Sequence, residues 1–301
     1  MLSRRELLAA LPFARSAARA ADAPVVPFGF SLYGMKALAL SDALKACAEI
    51  GYRGVEFALM PGYPAEPKGL TADARKDLRK RLEGSGLTAL GLMENLSEPA
   101  TEAVHKTNLE RLKAATELAR AIAPDAPPCV ESVLGGKPAE WDKVKEQLAE
   151  RLSAWAEVGR AAKTVVAVKP HVANALHTIE GAKWLLKQVN SQWLRLAFDY
   201  SHFELRGVAL SDAVSALGPL SAFIHVKDTK GAAEKFEFVL PGAGRTDYAA
   251  YKKLLVTTKF AGPVVVEVSG HVSSKPNYDA VAAAKASFAA LAPHFAPREK
   301  R

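Results

Sequence analysis

The 301 residues are 49% hydrophobic and 24% charged, with 20 Gly and 18 Pro, a composition that supplies a large core and excludes a disordered chain. No apolar run reaches the ~18 residues of a membrane helix, so the mature chain is expected to have no membrane span. The net charge of +8 is not gathered into a Lys/Arg tract with interleaved aromatics, so a nucleic-acid partner is not expected.

Residues 1–20 place Arg4-Arg5 before a short Ala-rich stretch ending Ala18-Arg19-Ala20, the pattern of a twin-arginine export signal with a small-x-small cleavage site. An N-terminal amphipathic helix is the other reading. Export to the periplasm or beyond is the expectation, with residues 21–301 as the mature domain. Removing the segment's +3 from +8 leaves +5. Cys47 and Cys129, the only two cysteines, are expected as buried free thiols rather than a disulfide.

From Phe28 onward, short apolar runs alternate with longer stretches of helical period, the signature of repeated βα units. Strands are predicted at Phe28–Tyr33, Gly54–Ala58, Leu87–Met93, Cys129–Leu134, Thr164–Lys169, Leu194–Asp199, Ala222–Lys227 and Val264–Val268. The helices that follow them are predicted at Ser41–Ile50, Thr71–Glu83, Glu102–Ala123, Pro138–Ala162, Thr178–Val189, Ser211–Leu217, Asp247–Thr257 and Tyr278–Leu291. Start signals are Ser41-Asp42, Thr71 with Asp73, Ser211-Asp212 and Thr246-Asp247. Eight units without a long linker point to a single (β/α)8 TIM barrel. The longest irregular connection, Asp228–Arg245, is compatible with a lid or a rigid turn.

In such a barrel the chemistry belongs at the C-terminal strand ends. Period-two alternation turns Lys169, Asp199, His225 and Glu267 toward the axis, on four consecutive strands. His171, His202 and His271 lie just beyond strand ends, whereas His105, His177 and His294 read as structural. Asp199, His225 and Glu267 suit Zn²⁺, Mn²⁺ or a similar divalent ion such as Mg²⁺ or Co²⁺, which would polarise a carbonyl. The four tryptophans read as packing residues, and Tyr33 as a possible platform for a sugar ring.

Five motifs in order, Gly54-Val55-Glu56, Phe198-Asp199-Tyr200-Ser201-His202, Ile224-His225-Val226-Lys227-Asp228, Pro241-Gly242-Ala243-Gly244 with Asp247, and Val266-Glu267-Val268, carry a resemblance. The chain resembles the sugar phosphate isomerase/epimerase superfamily, the xylose isomerase-like barrels, over residues 28–293. The resemblance implies a divalent metal on a strand-five Glu, a strand-six Asp, a strand-seven His and a strand-eight Glu. Asp199, His225 and Glu267 match, but strand five carries Lys169, whose ammonium has no lone pair to give a metal.

Two resolutions stay open. Either the metal stays on Asp199, His225 and Glu267, joined by Glu56, Glu94 or Glu131, while Lys169 binds substrate or acts as base; or the ammonium replaces the metal. A Schiff base at Lys169 is a third, less favoured because neighbouring carboxylates keep it protonated. The implied activity is an exported sugar or keto-sugar isomerase or epimerase acting next to a carbonyl. A lyase or dehydratase, or a non-catalytic carbohydrate-binding barrel, is the alternative. Expected roles are Glu267 or Lys169 as base, and His171, His202, Lys227, Glu56 and Glu94 in binding a small carbohydrate.

Overall fold

A computed structural model describes residues 26–296; the predicted export signal at residues 1–20 lies outside them. Eight parallel strands close into one barrel in the order β1-β10-β7-β6-β5-β4-β3-β2. They are β1 (Phe28–Ser31), β2 (Gly54–Ala58), β3 (Thr88–Glu94), β4 (Cys129–Val133), β5 (Val166–Lys169), β6 (Leu194–Asp199), β7 (Ser221–Val226) and β10 (Val264–Val266). Between β7 and β10 an antiparallel hairpin, β8 (Asp228–Ala232) and β9 (Lys235–Val239), stands outside the barrel sheet. The predicted single (β/α)8 barrel is the observed architecture. No helix among the described residues is long and apolar enough to cross a membrane.

Alternation along the strands sorts the core into two compartments. Val55, Phe57, Val130, Val166, Val168, Leu196, Phe198 and Ile224 belong to the main cluster shared with the helices. Leu90, Cys129, Ala167, Ala197, Phe223 and Val265 form a separate inner cluster. Two residues further along their strands stand Glu131, Lys169, Asp199, His225 and Glu267, so the polar centre rests directly on that apolar layer. The bulky member is Phe223, whose ring meets His225 edge-on at 4.7 Å. A Cβ at Gly91 would lie 2.6 Å from Phe223 Cε2, so the ring requires glycine there.

Thr71 and Asp247 cap their helices as predicted, accepting from Ala74 N at 3.2 Å and Ala250 N at 2.9 Å. The predicted starts at Ser41-Asp42 and Ser211-Asp212 are corrected: these helices begin at Leu40 and Leu210, without a side-chain cap. Asp42 and Asp212 instead occupy the first turn, where a carboxylate meets the positive end of the helix dipole. Both cysteines are buried and free, and burial pushes the Cys47 thiol up to about 12. Trp155 is fully buried, while Trp141 and Trp184 pack edge-on at 5.8 Å.

The connection after β7 is more ordered than its sequence suggests. The Asp228 carboxylate accepts from Gly242 N at 2.7 Å, and from Gly244 N and Thr246 N at 3.1 Å each. Gly242 has φ of +85°, and a Cβ at Gly244 would lie 2.7 Å from Asp228 Cβ, so both glycines are needed for the clamp. The Pro241–Gly244 stretch is therefore the rigid turn of the two sequence alternatives.

Candidate active site

The strand ends surround a cavity of about 410 Å³, whose wall includes Tyr33, Glu94, Glu131, Lys169, His171, His202, Lys227, Phe238 and Glu267. Lys169 Nζ donates to Glu267 Oε2 at 3.0 Å and lies 3.6 Å from Glu131 Oε1. Lys227 Nζ donates to Glu267 Oε2 at 2.9 Å and to Asp199 Oδ2. Both lysines are 3% exposed. Asp199 ends β6 and turns the chain into the short helix Tyr200–Glu204, its Oδ1 accepting from Ser201 N at 3.1 Å and Ser201 Oγ at 2.6 Å. The strand-end residues singled out on β5, β6, β7 and just after β10 thus form one connected network.

Asp199, His225 and Glu56 lie beneath the cavity floor rather than on its wall. His225 Nε2 is 2.8 Å from Glu56 Oε2, a contact that requires a proton on that nitrogen, and its Nδ1 is 3.3 Å from Glu267 Oε2. Glu56, expected to bind substrate, is fully buried behind His225. Glu94 does reach the cavity wall, where it accepts from Arg111. Burial pushes its carboxyl up against the lowering effect of Arg111.

Charge divides the wall into unlike groups. Burial raises the Glu267 carboxyl, but the Lys169 and Lys227 ammoniums overcome it and hold Glu267 well below the usual carboxylate range. Burial dominates at Glu131 and pushes it up to about 7, with Lys169 opposing and Glu56 adding to the rise. Burial would lower Lys169, yet Glu131, Glu267 and Asp199 together raise it, so it is an ammonium at neutral pH. Burial, Lys227 and Lys169 push His171 down to about 4, and burial, His171 and the same two cations lower His202. These rings, 4.1 Å apart between centroids, are neutral at pH 7.

The hairpin closes one side of the cavity. Phe238 on β9 meets the His202 ring edge-on at 5.1 Å and lies 4.8 Å from Lys227 Nζ. His271, expected near the site, serves the hairpin instead, its Nδ1 accepting from Phe238 N at 3.1 Å. Tyr33 stacks on Tyr63 at 5.8 Å and presents an aromatic surface at the rim. Phe238 is a wall residue to which the sequence analysis assigned no role, and Glu131 entered it only as one of three further metal ligands. A signal existed for Glu131, the Cys129-Val130-Glu131 alternation that also turns Lys169 and Asp199 inward.

Two groups of side chains, Glu56 with Glu131 and His225, and Asp199 with His225 and Glu267, bring ligating atoms within 4.8 Å of one another, a spacing a divalent ion can use. In the first group Glu56 Oε1, Glu131 Oε2 and His225 Nδ1 are buried without a hydrogen-bond partner; in the second the carboxylates are engaged. Lys227 bridges Asp199 and Glu267, and Lys169 stands between Glu267 and Glu131. A dication about 4 Å from an ammonium is repelled by roughly 8 kcal/mol at an effective dielectric of 20. With both ammoniums in place the Asp199–His225–Glu267 group does not fit a divalent ion.

A (β/α)8 barrel with a buried carboxylate, imidazole and ammonium centre at its C-terminal mouth defines the class of protein. Residues 44–293 match the family model described as xylose isomerase-like TIM barrel, and the chain belongs to that family. No curated protein matches its sequence. Among solved structures it is similar to the IolI protein with a bound zinc atom, at 19% identity over 90% of this chain and 100% of that one, TM-score 0.73. It is also similar to 3-keto-D-glucoside 4-epimerase YcjR from E. coli, at 16% identity over 88% and 98%, TM-score 0.69. The probable 3-DHS dehydratase AsbF from Bacillus anthracis aligns at 16% identity over 88% and 98%, TM-score 0.70. At these identities the likeness is one of fold.

Proposed function

We propose that the protein is an exported isomerase or epimerase of a sugar or keto-sugar that moves a proton at a carbon next to a carbonyl. One observation carries this reading: Lys169 Nζ stands between two carboxyl groups of different proton affinity on the wall of one cavity, 3.0 Å from Glu267 and 3.6 Å from Glu131. The export part rests on residues 1–20 alone. The family's sugar epimerases and their dehydratase relative support the substrate class by analogy only.

The substrate carbonyl oxygen accepts from the Lys169 or Lys227 ammonium, which acidifies the neighbouring C–H. Glu267, ionised at neutral pH, takes the proton. The C–H electron pair forms the C=C bond, the carbonyl π pair moves onto oxygen, and the enediolate charge faces the ammonium. As the ammoniums turn toward that oxygen they release Glu267, which becomes more basic. Glu131, with its pKa near 7, returns a proton to carbon: to the same carbon from the other face, with the carbonyl re-formed, for an epimerisation, or to the former carbonyl carbon, while the neighbouring hydroxyl gives up its proton to the first oxygen and becomes the new carbonyl, for an isomerisation. The neutral His171 and His202 hydrogen-bond sugar hydroxyls, and Tyr33 lies against a sugar face. A divalent ion, if loaded, would polarise the same oxygen; no step here depends on it. The cations around the cavity are already paired with carboxylates, Arg111 with Glu94 included, which favours an unphosphorylated substrate.

A second reading has its own observation. A carboxyl near pH 7 beside an ionised carboxylate is also the acid and base of a β-elimination, with Glu131 protonating a leaving hydroxyl. The test is incubation of ketoses and 3-ketoglucosides with the protein in D2O, followed by NMR. Exchange with a rearranged sugar supports the isomerase, and exchange with an unsaturated product supports the lyase. Binding without exchange at any carbon would sink both in favour of a carbohydrate-binding barrel.

A further inference from the structure

Glu267 Oε2 accepts from two ammoniums, Lys227 Nζ at 2.9 Å and Lys169 Nζ at 3.0 Å; His225 Nδ1 lies 3.3 Å away without a hydrogen-bond partner. A carboxylate oxygen offers two lone pairs, so little is left on that atom for an ion. Asp199 is equally occupied, with Lys227 on Oδ2 and Ser201 on Oδ1. The two oxygens that would share a cation with His225 are therefore bridged by an ammonium.

We propose that Lys169 and Lys227 are this protein's built-in replacement for a divalent ion, so that the centre is charge-balanced and competent to bind its ligand without metal, and that Lys169 decides between the two kinds of centre. Two ammoniums carry the charge of one dication. They sit on the carboxylates of β4, β6 and the residue after β10, and Lys227 already joins Asp199 to Glu267 across the barrel. Lys169 occupies the end of β5, beside Glu131 and Glu267, where a carboxylate would add an anionic oxygen to Asp199, His225 and Glu267. An ammonium in that place donates where a metal ligand must accept. Phe238 over Lys227 and the apolar layer beneath the centre keep water from loosening these pairs. The solved IolI structure, which contains zinc in the same fold, gives the contrast against which the replacement is defined.

The experiment is metal analysis of the folded, processed protein purified without chelator or metal resin, followed by Co²⁺ titration read by its visible spectrum. Wild type is expected to retain essentially no divalent ion and to give no ligand-field bands. Lys169→Glu should bind about one Co²⁺ per chain, at least roughly 100-fold more tightly than wild type, and Lys169→Glu with Asp199→Asn should lose it. Wild type holding one ion that Asp199→Asn removes would overturn the proposal. So would a folded Lys169→Glu that gains none. Should that variant not fold, Lys169→Gln, which removes the ammonium without adding a charge, replaces it with the same expected direction. Deuterium exchange into sugars is read separately: a metal-free wild type that exchanges nothing refutes the proposed activity and leaves the metal replacement standing.

Discussion

Replacing Lys169 with Met removes the ammonium and keeps most of the side-chain volume. At an effective dielectric of 20, a unit charge pair at about 3.0 Å is worth about 5.5 kcal/mol and one at about 3.6 Å about 4.6 kcal/mol. The net loss is smaller for two reasons. Glu131, already raised to about 7, can take a proton, and Lys227 still reaches Glu267 at 2.9 Å. What remains is a buried carboxylate stripped of one of two cations, and breaking such a pair from one side destabilises by about 3–5 kcal/mol. We take the lower end, about 3 kcal/mol, because of the proton that Glu131 can accept. At roughly 2–4 °C per kcal/mol for a domain of this size, Tm should fall by about 6–12 °C. Lys145→Met is the control: its partner Asp142 is exposed, and the loss should be about 0.5 kcal/mol or less. Urea unfolding followed by circular dichroism measures both variants at pH 7. Equal, small losses would refute the view that Lys169 neutralises the buried centre.

The remaining predictions concern proton transfer, pH and packing. Glu131→Gln leaves Lys169 paired with Glu267, so it should fold with a smaller loss of Tm than Lys169→Met, and should lose about 100-fold or more in the rate of sugar deuterium exchange, the usual contribution of a positioned acid–base group; an unchanged exchange rate would remove Glu131 from the mechanism. His171 has a folded pKa of about 4 against about 6.5 when unfolded, so in that window the unfolded chain binds the extra proton. Its contribution is therefore complete above pH 6.5 and declines on acidification toward pH 4, by roughly 1–2 kcal/mol for a partly exposed ring. His171→Asn should flatten the slope of urea stability between pH 7 and pH 5, and parallel slopes would contradict the assignment. Gly91→Ala should lose about 1–3 kcal/mol against Phe223, whereas Gly69→Ala, with no atom within 4 Å of the new Cβ, should stay within about 0.5 kcal/mol.

The barrel was legible because alternation is a local property. Ala167 with Lys169, Ala197 with Asp199, Phe223 with His225 and Val265 with Glu267 each repeat an apolar floor followed by a polar head, and a reader of one strand needs no knowledge of the next. The hairpin was not read from the sequence: β8 carries Lys230 and Gly231 and is half exposed, and the short Phe236/Phe238 alternation of β9 lies inside a stretch that reads as irregular. Its anchors, Phe238 against His202 and Asp228 against the Gly242–Thr246 turn, come from chain closure over 14 to 18 residues or from another strand altogether. Helix starts at Leu40 and Leu210 were displaced by a residue because Ser and Asp suit both a cap and a first turn.

Lys169 shows where sequence reasoning stops. Its residue type alone marks a departure from a four-ligand metal set, but two centres follow from it, one in which Lys169 binds substrate or acts as base beside a metal and one in which its ammonium replaces the metal. The contacts that bear on the choice are not local, because Glu131 on β4 and Glu267 just after β10 meet Lys169 only when the barrel closes. That closure also fixes the histidines. Two ammoniums near His171 and His202 add to burial in keeping both rings neutral, so these two histidines add no positive charge to the cavity wall. A ligand that brought its own negative charge would have to compete with Glu267 and Asp199 for those two cations, whereas a neutral carbonyl needs only one N–H from either. On the proposed reading, the charge arrangement that replaces the metal is also the one that suits an uncharged carbonyl ligand.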